Sequence, residues 1–144
     1  MDPKISIESI WEDESVFEVK FQASSGGFAG IANCYTNRES IAELASSIEG
    51  FPKSIDQEVN FSSGESDNLS YFSLRFRCID RSGHVSVRVK VAHIVTYTNK
   101  QKEFNVSEFD LAVEPAAVDL FSRSLETLSK AKLHEVKAEL RGKT

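Results

Sequence analysis

Tyr71-Phe72-Ser73-Leu74-Arg75-Phe76-Arg77-Cys78, and after a short polar interval Val85-Ser86-Val87-Arg88-Val89-Lys90-Val91-Ala92, is the stretch that decides the fold class. Each run alternates with period two, the spacing of a strand that buries one face. Phe72, Leu74, Phe76 and Cys78 with Val85, Val87, Val89 and Val91 make the apolar face. Arg75, Arg77, Arg88 and Lys90 lie on the other. A two-residue turn at Ser82-Gly83 then sets Cys78 against Val87, Arg77 opposite Arg88 and Arg75 opposite Lys90. Facing like charges destabilise a sheet by roughly 0.2–1 kcal/mol per pair, so something anionic is expected to cover this face, from within the chain or from a partner.

Similar alternation extends on both sides. Ile5 to Ile10 and Phe17 to Ala23 read as half-buried antiparallel strands around a polar reversal at Glu12-Asp13-Glu14-Ser15. Phe28 to Tyr35 is a third strand of small and aromatic residues, in which Gly30 marks a close approach by another backbone or a large side chain. Thr36 and Glu39 form a capping box ahead of Ile41, Leu44, Ala45 and Ile48, predicting a helix over about 37–49 that Gly50 ends. Val59 and Phe61 mark a short strand, and 62–68 reads as a loop. Beyond the hairpin, His93 to Thr98 continues the sixth strand with a phase change near Ile94 that suggests a bulge, and Phe104 and Val106, then Phe109, Leu111 and Val113, make a final strand with a second phase change at Ser107-Glu108. Pro115 opens a C-terminal helix over about 115–131, with Ala117, Val118, Phe121, Leu125 and Leu128 as its apolar stripe. Residues 132–144 are mixed and charged and read as a helical extension or frayed tail. The expected fold is α+β: one twisted antiparallel sheet of about seven strands, with helices over its apolar face.

With 144 residues, 40% hydrophobic and 27% charged, the chain fits a single domain over 1–144 with a core of its own. Its net charge of −5 is unevenly spread. Residues 1–67 carry 4 basic and 13 acidic side chains, and 68–144 carry 13 basic and 9 acidic. Met1-Asp2-Pro3-Lys4 runs straight into an alternating segment with no apolar stretch for a signal peptide or a membrane span, so a cytoplasmic, non-membrane protein is expected. Cys34 and Cys78 fall on apolar faces and read as reduced core residues.

Catalysis needs a nucleophile with a base, a paired acid and base, or a metal cluster, and the spacing offers none of them. His84, His93 and His134 are scattered, and no glycine-rich loop leads into a helix. No enzyme, metal or cofactor is therefore expected. Three sets of residues stand as candidate binding groups. The cations Arg75, Arg77, Arg88 and Lys90 are matched either by internal acids such as Glu18 or Glu58 or by a partner. Asp80 and His84 bracket the hairpin tip, where Asp starts turns and Gly83 supplies a positive φ. Glu12, Asp13 and Glu14, with Glu65 and Asp67, form an acidic patch suited to a basic partner. Nucleic acid fits poorly, because stacking aromatics are not interleaved with the cations and the chain is acidic overall.

An ordered series of positions adds to this. Gly27-Phe28, Ile41-Ala42-Glu43-Leu44 through Ile48-Glu49-Gly50-Phe51-Pro52, Leu74, Phe76, Asp80-x-x-Gly83-His84-Val85 and Phe109 to Glu114 together resemble small bacterial proteins that include the immunity proteins of wall-associated polymorphic toxins. These are core and turn positions, and no binding residue is carried over from them. The resemblance implies a bacterial cytoplasmic protein that binds and neutralises a basic toxin or other protein. The functional expectation is a non-enzymatic protein-interaction module, in its specific form an immunity-type inhibitor acting by surface occlusion. The alternative is a small-ligand or anion-binding domain using the cationic face, with an uncharacterised enzyme as the lesser one.

Overall fold

A computed structural model describes residues 2–64 and 69–144. In chain order they form β1 (Lys4–Glu12), β2 (Phe17–Ser25), β3 (Phe28–Thr36), α1 (Arg38–Ile48), β4 (Glu58–Ser62), β5 (Tyr71–Cys78), β6 (Val85–Thr96), β7 (Lys102–Val113), α2 (Pro115–Leu128) and β8 (Lys137–Arg141). The fold is α+β, but the strands divide between two antiparallel four-stranded sheets, β3-β2-β1-β8 and β4-β5-β6-β7, instead of forming one sheet of seven. The division falls at α1, which carries the chain from β3 to β4.

The eighth strand corrects the reading of the tail. Ala138 and Leu140 are buried opposite Ile7 and Ile5 of β1, whereas Lys137 and Arg141 are exposed. A five-residue strand with three charged side chains has the composition of a surface helix, and only its alternation gives it away. The end of the chain then ties the sheets together. The Gly142 N–H donates to the Pro3 carbonyl at 2.9 Å and the Lys143 N–H to the Ala112 carbonyl of β7 at 2.8 Å. A Cβ at Gly142 would lie 2.8 Å from Leu111 Cδ1 and 2.9 Å from Pro3 Cβ, so a larger residue at the crossing would make these side chains shift.

The apolar faces of both sheets and the stripes of both helices share one cluster of buried side chains. Phe21 of the first sheet stacks on Phe72 of the second with ring centroids 4.1 Å apart. The helices contribute Ile41, Leu44, Ala45 and Ile48 from α1 and Val118, Phe121, Leu125 and Leu128 from α2. Each such large apolar side chain contributes about 1.5–3 kcal/mol on burial. Polar bonds lock the helix pair. Ser122 donates its hydroxyl to the Ala45 carbonyl at 2.6 Å, and Asp119 accepts from the Gly50 N–H at 3.0 Å. The cap of α1 is Asn37, whose side chain accepts from the Ser40 N–H at 2.7 Å, one position beyond the expected Thr36.

Strand register decides which side chains meet on the second sheet. The β5–β6 register pairs Arg75 with Arg88, Phe76 with Val87 and Cys78 with Val85, two positions away from the expected one. Ile79 and His84 pair across the loop as well, so the turn proper spans Asp80 to Gly83 and is longer than a two-residue turn. The β6–β7 register, in turn, runs unshifted from Val85↔Val113 to Thr96↔Lys102, without the bulge expected near Ile94 and with no break at Ser107-Glu108. The phase changes have another cause. β5 ends its pairing at Tyr71↔Ala92, and beyond that point β6 and β7 continue as a two-stranded arm whose faces need not alternate. The register shift in β1 lies between Ser9 and Trp11.

Candidate interaction surface

Arg75, Arg77, Arg88 and Lys90 do share the outer face of the second sheet, and that sheet supplies their counter-charges. Arg75 meets Glu58 of β4 through two hydrogen bonds, of 2.8 and 3.1 Å. Arg88 meets Asp110 of β7 through two, of 2.6 and 3.0 Å, and comes within 3.7 Å of Glu108. The facing pair Arg75–Arg88 is thus bracketed by a carboxylate on either side, which offsets its repulsion. Arg75 holds the Glu58 carboxyl below its ordinary range, and Arg88 does the same for Asp110. Arg77 lies 4.0 Å from Asp110 with its Nε buried and unbonded, and Lys90 sits 5.6 Å above the Tyr71 ring. Glu58 was among the expected acids. Asp110 and Glu108 were not, because finding them requires the β6–β7 register.

The hairpin tip is occupied with its own turn. Asp80 Oδ1 accepts from the Ser82 N–H at 2.9 Å and the His84 N–H at 3.2 Å, while Oδ2 contacts His84 Nδ1. The bond to His84, more than any other contact, lowers the Asp80 pKa.

The acidic residues near the start of the chain divide in the same manner. Glu12 takes two bonds from Arg38, of 2.7 and 3.1 Å, and Arg38 also donates to the Ser129 carbonyl at 3.1 Å and lies 4.6 Å over the Phe17 ring. This guanidinium therefore clips the end of β1 to both helices. Asp13 accepts from the Ser15 and Val16 N–H groups, each at 2.8 Å, and so closes the β1–β2 turn. Glu14 is exposed. Glu65 and Asp67 lie outside the described residues.

Among the described residues the arm also carries an exposed apolar patch. On the outer face of the arm Phe104 pairs with Ile94 and Val106 with Ala92, and Phe104 and Val106 stay 57% and 54% exposed. Against the opposite, inner face of the arm's base lies β3, an edge strand whose Phe28 and Ile31 are exposed to a similar degree. Gly30 lets β3 cross the second sheet closely, as expected of that glycine: a Cβ there would sit 2.1 Å from Val91 Cγ1. Between β3 and the arm lies a cavity of about 150 Å³, lined by Ala29, Gly30 and Ile31 on one side and His93, Asn105 and Val106 on the other. A larger groove of about 780 Å³ runs between α1 and α2, but Asp119 and Ser122 in its lining are committed to helix packing. Alternation in the sequence conceals the arm patch, because Phe104 and Val106 look like core residues of a strand.

Among the described residues, no group of three or more His, Cys, Asp or Glu side chains is placed to hold a metal ion, and no helix is long and apolar enough to cross a membrane. Cys34 and Cys78 are both free thiols, and burial pushes the Cys34 thiol up to about 12. Compared with protein-family models, with curated proteins and with solved structures, the chain matches none.

Proposed function

We propose that this protein is a non-enzymatic interaction module that grips a protein partner at the β6–β7 arm and the adjoining β3 edge. The observation that carries this reading is the pair Phe104 and Val106, more than half exposed on a projecting ribbon. Apolar patches of this kind, rimmed by polar residues, mark interaction surfaces. The charged candidates support it by elimination: Arg75, Arg88, Glu12, Asp13 and Asp80 each have a partner inside the chain, which leaves the cationic face little free charge for an anionic small ligand. The specific form we favour is the immunity-type inhibitor, which occludes a toxin domain in the bacterial cytoplasm and needs no catalytic group.

The test is retention of partners from a lysate of the source cell by the tagged wild type, by Val106→Asp and by Arg123→Glu in the helix groove. One protein held in stoichiometric amount by the wild type and by Arg123→Glu, and lost by Val106→Asp, is the expected result. Equal retention by all three would move the site elsewhere. Retention of nothing would sink the stable-complex reading and direct the search to small ligands.

A further inference from the structure

The first sheet crosses β7 in a fixed order. Gly142 lies against Leu111 and Lys143 bonds to Ala112, Phe28 of β3 stacks 6.5 Å from Phe109, and a Cβ on Gly30 would come within 3.5 Å of Ser107. Each step moves toward the arm, and β3 is the last strand of the sheet. The place of the next strand is therefore over the arm face that carries His93, Val95, Glu103 and Asn105, opposite the face of Phe104 and Val106, where the cavity beside Ala29, Gly30 and Ile31 already opens.

We infer that this place takes an extended segment of a partner protein as an added β-strand, alternately apolar and polar, with a lysine or arginine that meets Glu103. The inference rests on the reading that the arm and edge bind a protein. Long natural edges are defended by charge, and β4, β7 and β8 all carry charged residues. β3 has none. The chain holds no charged residue or histidine from Phe21 to Asn37, and among the described residues no strand pairs with the outer edge of β3, so that edge offers main-chain pairing without repelling a strand. Charge enters from the arm, where the exposed Glu103 carboxylate is oriented by the Tyr97 hydroxyl at 2.5 Å and the Asn105 amide at 3.2 Å. That carboxylate selects a basic side chain. A second copy pairing through its own β3 fits less well, since that strand has no lysine or arginine to meet Glu103.

The test is selection of a phage-displayed library of random peptides of strand length on the full chain. Selected peptides are expected to alternate, to be enriched in lysine and arginine, and to protect the amides of 29–33 from hydrogen exchange. Their affinity should fall by about tenfold or more on Ile31→Lys, and Glu103→Gln should remove the basic preference. A synthetic version methylated on alternate amide nitrogens should not bind. Failure to select any peptide, unchanged binding to Ile31→Lys, or unchanged binding of the methylated peptide would overturn the inference. Sedimentation of the wild type as a dimer that Ile31→Lys turns into a monomer would overturn it in favour of a second copy. The broader reading fails separately: a cellular partner retained by Ile31→Lys but lost by Val106→Asp overturns strand addition alone.

Discussion

Asp110 takes two hydrogen bonds from Arg88 and lies 4.0 Å from Arg77, so one carboxylate on β7 stabilises cations contributed by two neighbouring strands. Its pKa is held below the ordinary value by Arg88, and that of Glu12 by Arg38. A carboxylate with a depressed native pKa adds stability that is complete above its unfolded pKa and is lost as pH falls through the native one. The thermal midpoint should therefore hold steady down to about pH 4 and fall below it. In Asp110→Asn and Glu12→Gln that acid limb should be shallower, as read by circular dichroism melts across the range. At Gly30 the effect is steric. Gly30→Val forces a Cβ into Val91 and is expected to cost about 1–3 kcal/mol by denaturant titration. Gly30 could be read from the sequence because a glycine inside an alternating strand has few other uses. The pairing of Arg75 with Arg88 could not, because it depends on a turn length that Asp80-Arg81-Ser82-Gly83-His84 leaves open.

At the scale of the element, β8 and the arm are where pattern and structure part. The seven other strands and both helices lie where alternation and helical spacing put them. β8 escaped because Lys137, Glu139 and Arg141 outnumber Ala138 and Leu140, and because its pairing with β1 joins opposite ends of the chain. A frayed tail would tolerate loss of Leu140. A packed strand would not, and Leu140→Ala is expected to cost about 2–5 kcal/mol in urea unfolding. The arm behaves in the opposite way. Phe104→Asp and Val106→Asp replace exposed side chains and should leave stability within about 1 kcal/mol of wild type while removing partner binding. The difference is one of cover: β8 is roofed by α2 and β1, whereas the described part of the chain leaves Phe104 open.

For the molecule as a whole, the division into two sheets was hidden in the sequence for a physical reason. Alternation reports which face of a strand is buried but not which strand lies beside it, and the inner faces of both sheets bury into one core. That shared core predicts a single cooperative transition. Phe21→Ala removes the ring that stacks on Phe72 and should lower the stability of both sheets together by about 3–5 kcal/mol, with Trp11 fluorescence and far-ultraviolet circular dichroism giving coincident curves. The same arrangement sets out the surface. Among the described residues Arg75, Arg88, Glu12, Asp13 and Asp80 are matched internally, and the proposed contact surfaces are the projecting arm and the uncharged β3 edge. The central claim is tested most directly by replacing Phe104 with a photo-crosslinking amino acid in the source cell, with Leu120 on the outer side of α2 as the control. The account predicts one crosslinked protein from position 104 and none from position 120. A crosslink from 120 alone, or the same products from both positions, would contradict it.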